Sequence, residues 1–473
     1  MRIHIPTLTA CAGAILLAGC ATKSPPSAQE LRDQTGTLST IVPADGWRGG
    51  AAAGPVADNW LATFADPQLD ALVAEALANN PDLKVAATRV EQAGEYVAMA
   101  RGALWPTVGV YASGGENMGG GDALQMITIR ASWEIDVWGR LRYGRNAAEA
   151  SYQSVQADYA FAGQSLAATV AKGWFTATET LLQIRISEQR VAASEELVKL
   201  AEKRHQIGIG TEHDVALARA SLGDAQDALM QVQLAHEQAK RALELLVGRY
   251  PAAELAARDS LLRVSAPIPA GLPLEMLERR PDLVAAERRV AAAFNRVGEA
   301  KAAMLPKISL NANVATLASD ILDLKEDFQN PAGGIGASLL APVYTGHQLQ
   351  AQVRIRTLEQ KEATADYARV ALRALGDVEN ALAAAQTLRD RETVLERTLG
   401  DHRRALELAQ TSYRIGTADL RAVQQQQLRV QSAELALLRV RSEQLAQRAN
   451  LHLALGGSFA APVEVASATP SAP

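Results

Sequence analysis

The chain of 473 residues is 21% charged and 4% aromatic, with a formal net charge of −5. This balance carries no mark of a polyanion-binding protein, and no apolar run reaches the roughly 18 residues of a transmembrane helix. Length alone allows about two or three globular domains, but an internal duplication argues instead for one elongated fold built from two similar halves.

The N-terminus reads as a secretory signal. Arg2 and His4 precede a short apolar stretch at residues 9–18, which closes on Leu17-Ala18-Gly19-Cys20. That stretch is too short to span a membrane, so residues 1–19 are excluded from the fold. Leu-Ala-Gly-Cys resembles the bacterial lipobox, in which the Cys thiol is lipidated before cleavage; an ordinary signal peptide cut nearby is the plain alternative. Cys11 leaves with the signal, so Cys20 is the only cysteine of the mature chain and a disulfide framework is excluded. Ala21 follows Cys20, and the lack of Asp there is compatible with sorting to the outer membrane of a Gram-negative envelope.

Residues 20–58 are rich in Pro, Ser and Gly without a hydrophobic period, as in an extended tether. Asp66-Pro67 then starts a short helix with Leu69, Leu72, Val73, Ala76 and Leu77 on one face. Asn80-Pro81-Asp82 opens a second, with Pro at the first helical position and Asp near the positive end of the helix dipole. That second helix has a twin. Residues 81–106 and 281–306 are identical in 11 of 26 columns, several of them three or four apart, as on one helix face.

Each twin ends at a proline, Pro106 or Pro306, and the hydrophobic period then becomes two. Ile127, Ile129, Ala131, Trp133 and Ile135 alternate with Thr128, Arg130, Ser132, Glu134 and Asp136. Ile308, Leu310, Ala312 and Val314 alternate with Ser309, Asn311 and Asn313. With residues 107–113 and 333–344 this makes four strands in two hairpins, with turn-rich loops at 114–123 and 317–332. Strands of about ten residues, apolar on one side and polar on the other, suit a transmembrane β-structure. A soluble sheet with one wet face is the other reading, and four strands alone cannot close a barrel.

From Arg140 the helical pattern resumes for some 68 residues, roughly 100 Å at 1.5 Å per residue, and returns at about residues 213–247. The second half repeats the plan from Gly346 to Ile415 and back to Leu455. The turning points are near-copies: LAEKRHQIGIGTEHDV at 200–215 and LAQTSYRIGTADLRAV at 408–423, an offset of 208. Strong helix formers flank each Ile-Gly pair, where such a helix can stop and reverse. The chain therefore divides into a signal peptide (1–19), a lipidated tether (20–58), a first half (59–248), a linker (249–276), a second half (277–456) and a disordered tail (457–473).

These residues resemble the outer-membrane factor family, the TolC-like trimeric channels, and within it the nodulation T-type lipoprotein branch. The marks are Asn59-Trp60 with Phe64 and Asp66-Pro67; Asn80-Pro81-Asp82-Leu83; Trp133 with Asp136-Val137-Trp138-Gly139-Arg140; Leu277-Glu278-Arg279-Arg280-Pro281-Asp282; Pro342-Val343-Tyr344 with Gly346; and Ala454-Leu455-Gly456-Gly457. They cover nearly the whole mature chain. The resemblance implies an α+β membrane protein of two tandem repeats, trimerising into one 12-stranded β-barrel continued by a periplasmic α-barrel of six long hairpins. Closure would leave no strand edge in lipid. Ile127, Ile129, Trp133, Ile308 and Leu310 would face lipid, Arg130, Glu134 and Asn311 would line the lumen, and Trp133 and Trp138 would sit in the interfacial belt.

The function so implied is a passive exit duct, lipid-anchored at Cys20 in the outer membrane and extending into the periplasm. It would dock on a periplasmic adaptor and a proton-driven inner-membrane pump of the resistance–nodulation–division class. The adaptor would meet the tips at Ile207, Gly208, Thr211, Ile415, Gly416 and Thr417. The periplasmic aperture would lie on the helix after the second tip, at Asp419, Arg421, Gln425 and Leu428. Family members close this aperture with acidic and basic side chains, whereas Gln425 and Leu428 are neutral; residues 424–427, all Gln, are expected to supply neutral hydrogen bonds between protomers instead. No Walker loop, nucleophile elbow, HExxH or Cys/His cluster is present. No enzyme activity, cofactor, metal or nucleic-acid partner is therefore expected, and His205 and His213 read as solvated tip histidines.

Three other readings are weighed. A periplasmic adaptor has one hairpin inserted in a compact β-domain, against two tandem hairpins here. A purely structural envelope lipoprotein has no use for a polar lumen-facing set. A duct of a type I protein secretion system shares every feature named, because the cargo is not written in the duct.

Overall fold

The computed structural model describes residues 22–34, 46–50, 54, 56, 58–115, 125–263, 268–271, 273–318 and 332–458. The signal segment, Cys20, most of the two loops at 114–123 and 317–332, and the tail from residue 459 lie outside the described residues.

In chain order the elements are α1 (Ala28–Gln34), a 3₁₀ turn (Trp60–Phe64), α2 (Pro67–Asn79), α3 (Pro81–Gly102), β1 (Thr107–Ser113), β2 (Gln125–Ile135), α4 (Arg140–Gln206), α5 (Glu212–Val247), α6 (Pro273–Arg279), α7 (Pro281–Ala302), β3 (Lys307–Ala318), β4 (Ala332–Leu340), α8 (Gln348–Arg414) and α9 (Leu420–Ala454). The twins α3 and α7 both have 22 residues, and α4 and α8 both have 67. The last strand stops at Leu340, short of the expected residue 344. Pro342 has no N–H to donate to a ladder.

Contacts divide the chain into two units. The first comprises the described parts of Met1–Ile41, Ala87–Asp158 and Asp282–Val370. Its sheet has the order β1-β2-β3-β4, antiparallel throughout. The central pair joins the two halves of the chain, with Ile129 opposite Val314 and Trp133 opposite Leu310. Because side chains alternate along a strand, this register puts Val110, Ile129, Val314 and Gly333 in one row of an apolar face, and Thr107, Ser132, Asn311 and Gly336 in one row of a polar face.

The residues between sheet and helix are fixed by specific bonds. Trp133 Nε1 donates to the Leu104 carbonyl (2.9 Å) and Trp138 Nε1 to that of Pro306 (2.8 Å), so each indole holds the turn that leads from a twin helix into a strand. Asp136 accepts the N–H groups of Leu141 and Arg142, satisfying two orphan donors in the first turn of α4, and Gly139 between them takes the left-handed φ of 77°. Above this junction α4 packs on α7 through small residues, Ala150 on Ala291 and Ala292. A Cβ on Gly298 would lie 2.6 Å from the Tyr143 ring. Tyr143 also anchors the tether, its hydroxyl accepting the Lys23 N–H at 2.9 Å.

The second unit comprises the described parts of Val42–Ala86, Tyr159–Pro281 and Ala371–Pro473. Its main core gathers Trp60, Phe64, Leu69, Val73, Trp174, Phe175, Leu243 and Leu445. Asp66, 1% exposed, accepts from Gln68 N and Leu69 N as the N-cap of α2, while its other oxygen takes the Trp174 indole N–H and the Arg258 guanidinium. The residues before the two helix-opening prolines play one role. Asn80 Nδ2 donates to the Leu246 carbonyl at the end of α5, and Arg280, 4% exposed, donates to the Ala454 carbonyl at the end of α9, both at 3.0 Å. Glycines follow each carbonyl. Gly248 (φ 84°) packs on Asn79 and Gly456 (φ 69°) on Arg279–Arg280 so closely that a Cβ would come within about 3 Å of backbone.

Two expected outcomes follow from these contacts. Gly298→Ala forces the Tyr143 ring aside and should cost about 1–3 kcal/mol, read as a lower urea midpoint. His452 stacks on Trp60 at 5.6 Å, and neither ring nitrogen has a hydrogen-bond partner among the described residues. Burial, then the nearby Arg448 charge, lowers its pKa from 6.5 to about 3. The unfolded chain therefore takes up a proton that the folded chain refuses, so this contribution is intact above pH 6.5 and is lost as pH falls toward 3, at up to about 1.4 kcal/mol per pH unit. Denaturation of His452→Phe between pH 6.5 and 4 should show a shallower loss of stability than wild type; equal slopes would rule the effect out.

Candidate functional sites

Each hairpin turns through a glycine in the left-handed region, Gly208 (φ 76°) and Gly416 (φ 84°). At the first tip, the N–H groups of Ile209 and Gly210 both return to the Arg204 carbonyl at 3.0 Å. At the second, those of Thr417 and Ala418 return to the Ser412 carbonyl at 2.9 and 3.3 Å. Both arrangements satisfy carbonyls left over at a helix C-terminus. The return helices are then capped. Thr211 and Asp214 form a reciprocal capping box, and Asp419 accepts the Ala422 N–H at 2.9 Å. Ile207, Ile209 and Ile415 remain exposed around these turns.

The two tips are tied to each other. Arg204 donates to the Tyr413 carbonyl (3.1 Å) and lies over the Tyr413 ring, 4.7 Å from its centroid. Arg421 donates to His213 Nε2 at 2.9 Å. Between these contacts Leu197, Ala201, Val215, Ala218, Leu420 and Val423 form a small core. Burial pushes the Tyr413 phenol up despite the adjacent Arg204 charge, so the ring is a neutral platform for the guanidinium.

Among the expected aperture residues, Asp419 and Arg421 are thus engaged within the chain, whereas Gln425 and Leu428 are exposed three residues apart, on one side of α9. Gln424, expected with residues 425–427 to supply hydrogen bonds between protomers, is instead buried within the chain, and its amide donates to the Leu217 carbonyl at 3.4 Å. His213, read from sequence as a solvated tip histidine, is exposed and also accepts the Arg421 bond. Sequence reasoning missed Arg204 and Tyr413. They occupy different positions of the repeat, so no duplicated pattern marks them.

On the sheet, Arg130, Glu134 and Asn311 fall on the polar face as the alternation requires. Glu134 is held by both prongs of Arg140, at 2.9 and 2.7 Å, a partner absent from the expected set because it sits beyond the strand. Asn311 bridges β2 to β4, accepting from Ser132 Oγ and donating to Ser338 Oγ. Arg130 enters a hollow of about 700 Å³ with Thr128, Ser132 and Asn313. Among the described residues, no group of three or more His, Cys, Asp or Glu is placed to hold a metal ion.

A family model described as outer membrane efflux protein matches residues 72–249 and 272–457. The pyoverdine export outer membrane protein OpmQ of Pseudomonas putida is 30% identical over 467 residues, covering 94% of this chain and 96% of its own length. The cation efflux system protein CusC of Escherichia coli K12 is 28% identical over 411 residues, covering 84% and 88%. The solved structure of the outer membrane protein VceC from Vibrio cholerae has a TM-score of 0.79 and 25% identity, covering 86% of this chain and 100% of that one. The chain belongs to the outer membrane efflux protein family and is an outer-membrane exit channel of a bacterial efflux system.

Proposed function

We propose that three copies of the chain close their four-stranded sheets into one 12-stranded barrel, continued by a periplasmic tube of six helical hairpins. The observation that carries this is a sheet with one apolar, exposed face across all four strands, Ile335 being 88% exposed, and with β1 and β4 as edges unpaired among the described residues. In a bilayer such edges leave backbone donors and acceptors without partners, so the sheet needs copies of itself to close. Thr22 and Lys23, which follow Cys20 in the sequence, lie against Gly139 and Tyr143, next to β2, which supports a lipid anchor on Cys20, as in the nodulation T-type branch. This reading keeps halves at 59–248 and 277–456 joined by the linker 249–276.

The exposed isoleucines of the tips, with Gly208, Thr211, Gly416 and Thr417 setting the turns, form the surface for a periplasmic adaptor, and a proton-driven inner-membrane pump supplies the energy. One relative is named a toluene efflux pump outer membrane protein, which supports a pump partner of the same kind. The aperture is held at Gln425 and Leu428 more than at Asp419 and Arg421, because the latter two side chains are already occupied within the chain.

Two experiments test this. Electron microscopy of the mature protein in mild detergent should give three-fold particles with a detergent belt near one end; monomers, or six-fold particles without a belt, would overturn the barrel and favour an adaptor. In planar bilayers, Gln425→Ala should raise the conductance of the isolated trimer more than Asp419→Ala, whose main effect should be loss of a cap worth about 1 kcal/mol. Equal or reversed conductance effects would remove Gln425 from the aperture.

A further inference from the structure

One row of the sheet's polar face stands apart. Gly109, Arg130, Asn313 and Gly334 lie side by side across β1 to β4. Glycine therefore occupies both outer strands at the level of Arg130, and a Cβ added at Gly109 would meet nothing within 4 Å. On the β1 side no side chain stands beside Arg130, and on the β3 side its neighbour in the row is the Asn313 amide. Arg130 is exposed, and no carboxylate pairs with it among the described residues.

The charge of this face is lopsided. Besides Arg130, the four strands carry only Glu134 and Lys307, and the register puts both on the polar face. Glu134 is neutralised by its two-pronged contact with Arg140. Arg130 and Lys307 are left in excess, and the hollow beside Arg130 is lined by hydroxyls, an amide and apolar groups without a carboxylate. Elsewhere along the expected path, the exposed positions Gln425 and Leu428 on α9 are neutral, so no acidic ring there opposes the positive face.

We propose that Arg130 is the specificity-determining residue of this face, and that the hollow around it receives small anions, halide or carboxylate, so that the duct prefers anions to cations. A guanidinium stays charged at every working pH and matches a carboxylate with two parallel hydrogen bonds. Rings of basic side chains make pores anion-selective. In a wide lumen the preference depends on ionic strength, since the screening length is about 30 Å at 0.01 M salt and about 3 Å at 1 M. The assignment rests on the reading of the polar face as lumen.

The test is the zero-current potential of the full-length trimer in planar bilayers under a tenfold KCl gradient. This quantity does not depend on how many channels are open. Wild type at low salt should favour chloride over potassium by at least about two-fold, fading toward no preference near 1 M. Arg130→Gln should reduce the preference and Arg130→Glu should reverse it, at unchanged trimer content. A conducting trimer that prefers potassium, or one indifferent to Arg130→Glu, overturns the assignment while leaving the duct intact. Absence of trimers or of any conductance overturns the lumen reading and the assignment with it.

Discussion

Each half of the chain is closed by one hydrogen bond from the side chain that precedes a helix-opening proline. Asn80 and Arg280 reach the carbonyls of Leu246 and Ala454, the last turns of the two return helices. These carbonyls belong to the groups a helix cannot satisfy by itself, and the neighbouring glycines at 248 and 456 let the backbones meet. The bond adds direction to the packing of each return arm, whose last turns also bury Leu243 and Val247, or Leu445 and Ala449, in the main core. The donors differ: a short neutral amide serves the first half, and a buried guanidinium serves the second, which also stands near Asp377 and the Phe161 ring. The geometry was duplicated and the chemistry was then allowed to diverge.

Function follows from the way two kinds of surface are left unfinished. The sheet exposes an apolar face that water would not tolerate and two edges that lipid would not tolerate. The tips expose isoleucines at turns whose helix ends are capped. In the proposed trimer these are the surfaces offered to lipid, to copies of the chain and to an adaptor. Relatives are named for exporting pyoverdine, toluene and cations.

Much of this was legible in the sequence because it obeys short-range rules. The prolines at 81 and 281, the alternation at 127–135 and the Ile-Gly pairs each declare a local geometry, and the strand register adds only which rows align. What escaped was non-local. Arg140 answers Glu134 across a strand-to-helix turn, and Arg204 meets Tyr413 from another hairpin, pairings that no spacing announces. Gln424 looked like its three neighbours, yet the helix phase turns it inward to Leu217. Thr211 was readable as more than a tip residue, since Asp214 three positions on completes a capping box. Asp136 and Trp138 stood out as marks of a family before their physical roles, helix cap and junction clamp, were visible.

The strand order also bears on how the protein is made. The central ladder pairs β2 with β3, Ile127 opposite Thr316 and Ile135 opposite Ile308, and the whole helical hairpin α4–α5, with α6 and α7, lies between them in sequence. Loop closure over such a distance must be accomplished before the ladder forms, which makes this the slow, non-local step of folding. Until the second half has emerged, the first β-hairpin has an apolar face and an open inner edge, a template for wrong pairing. The gene duplication that built the channel therefore also set a rule for its biogenesis: neither half can finish its own sheet, and each must be kept apart from strangers until the other arrives.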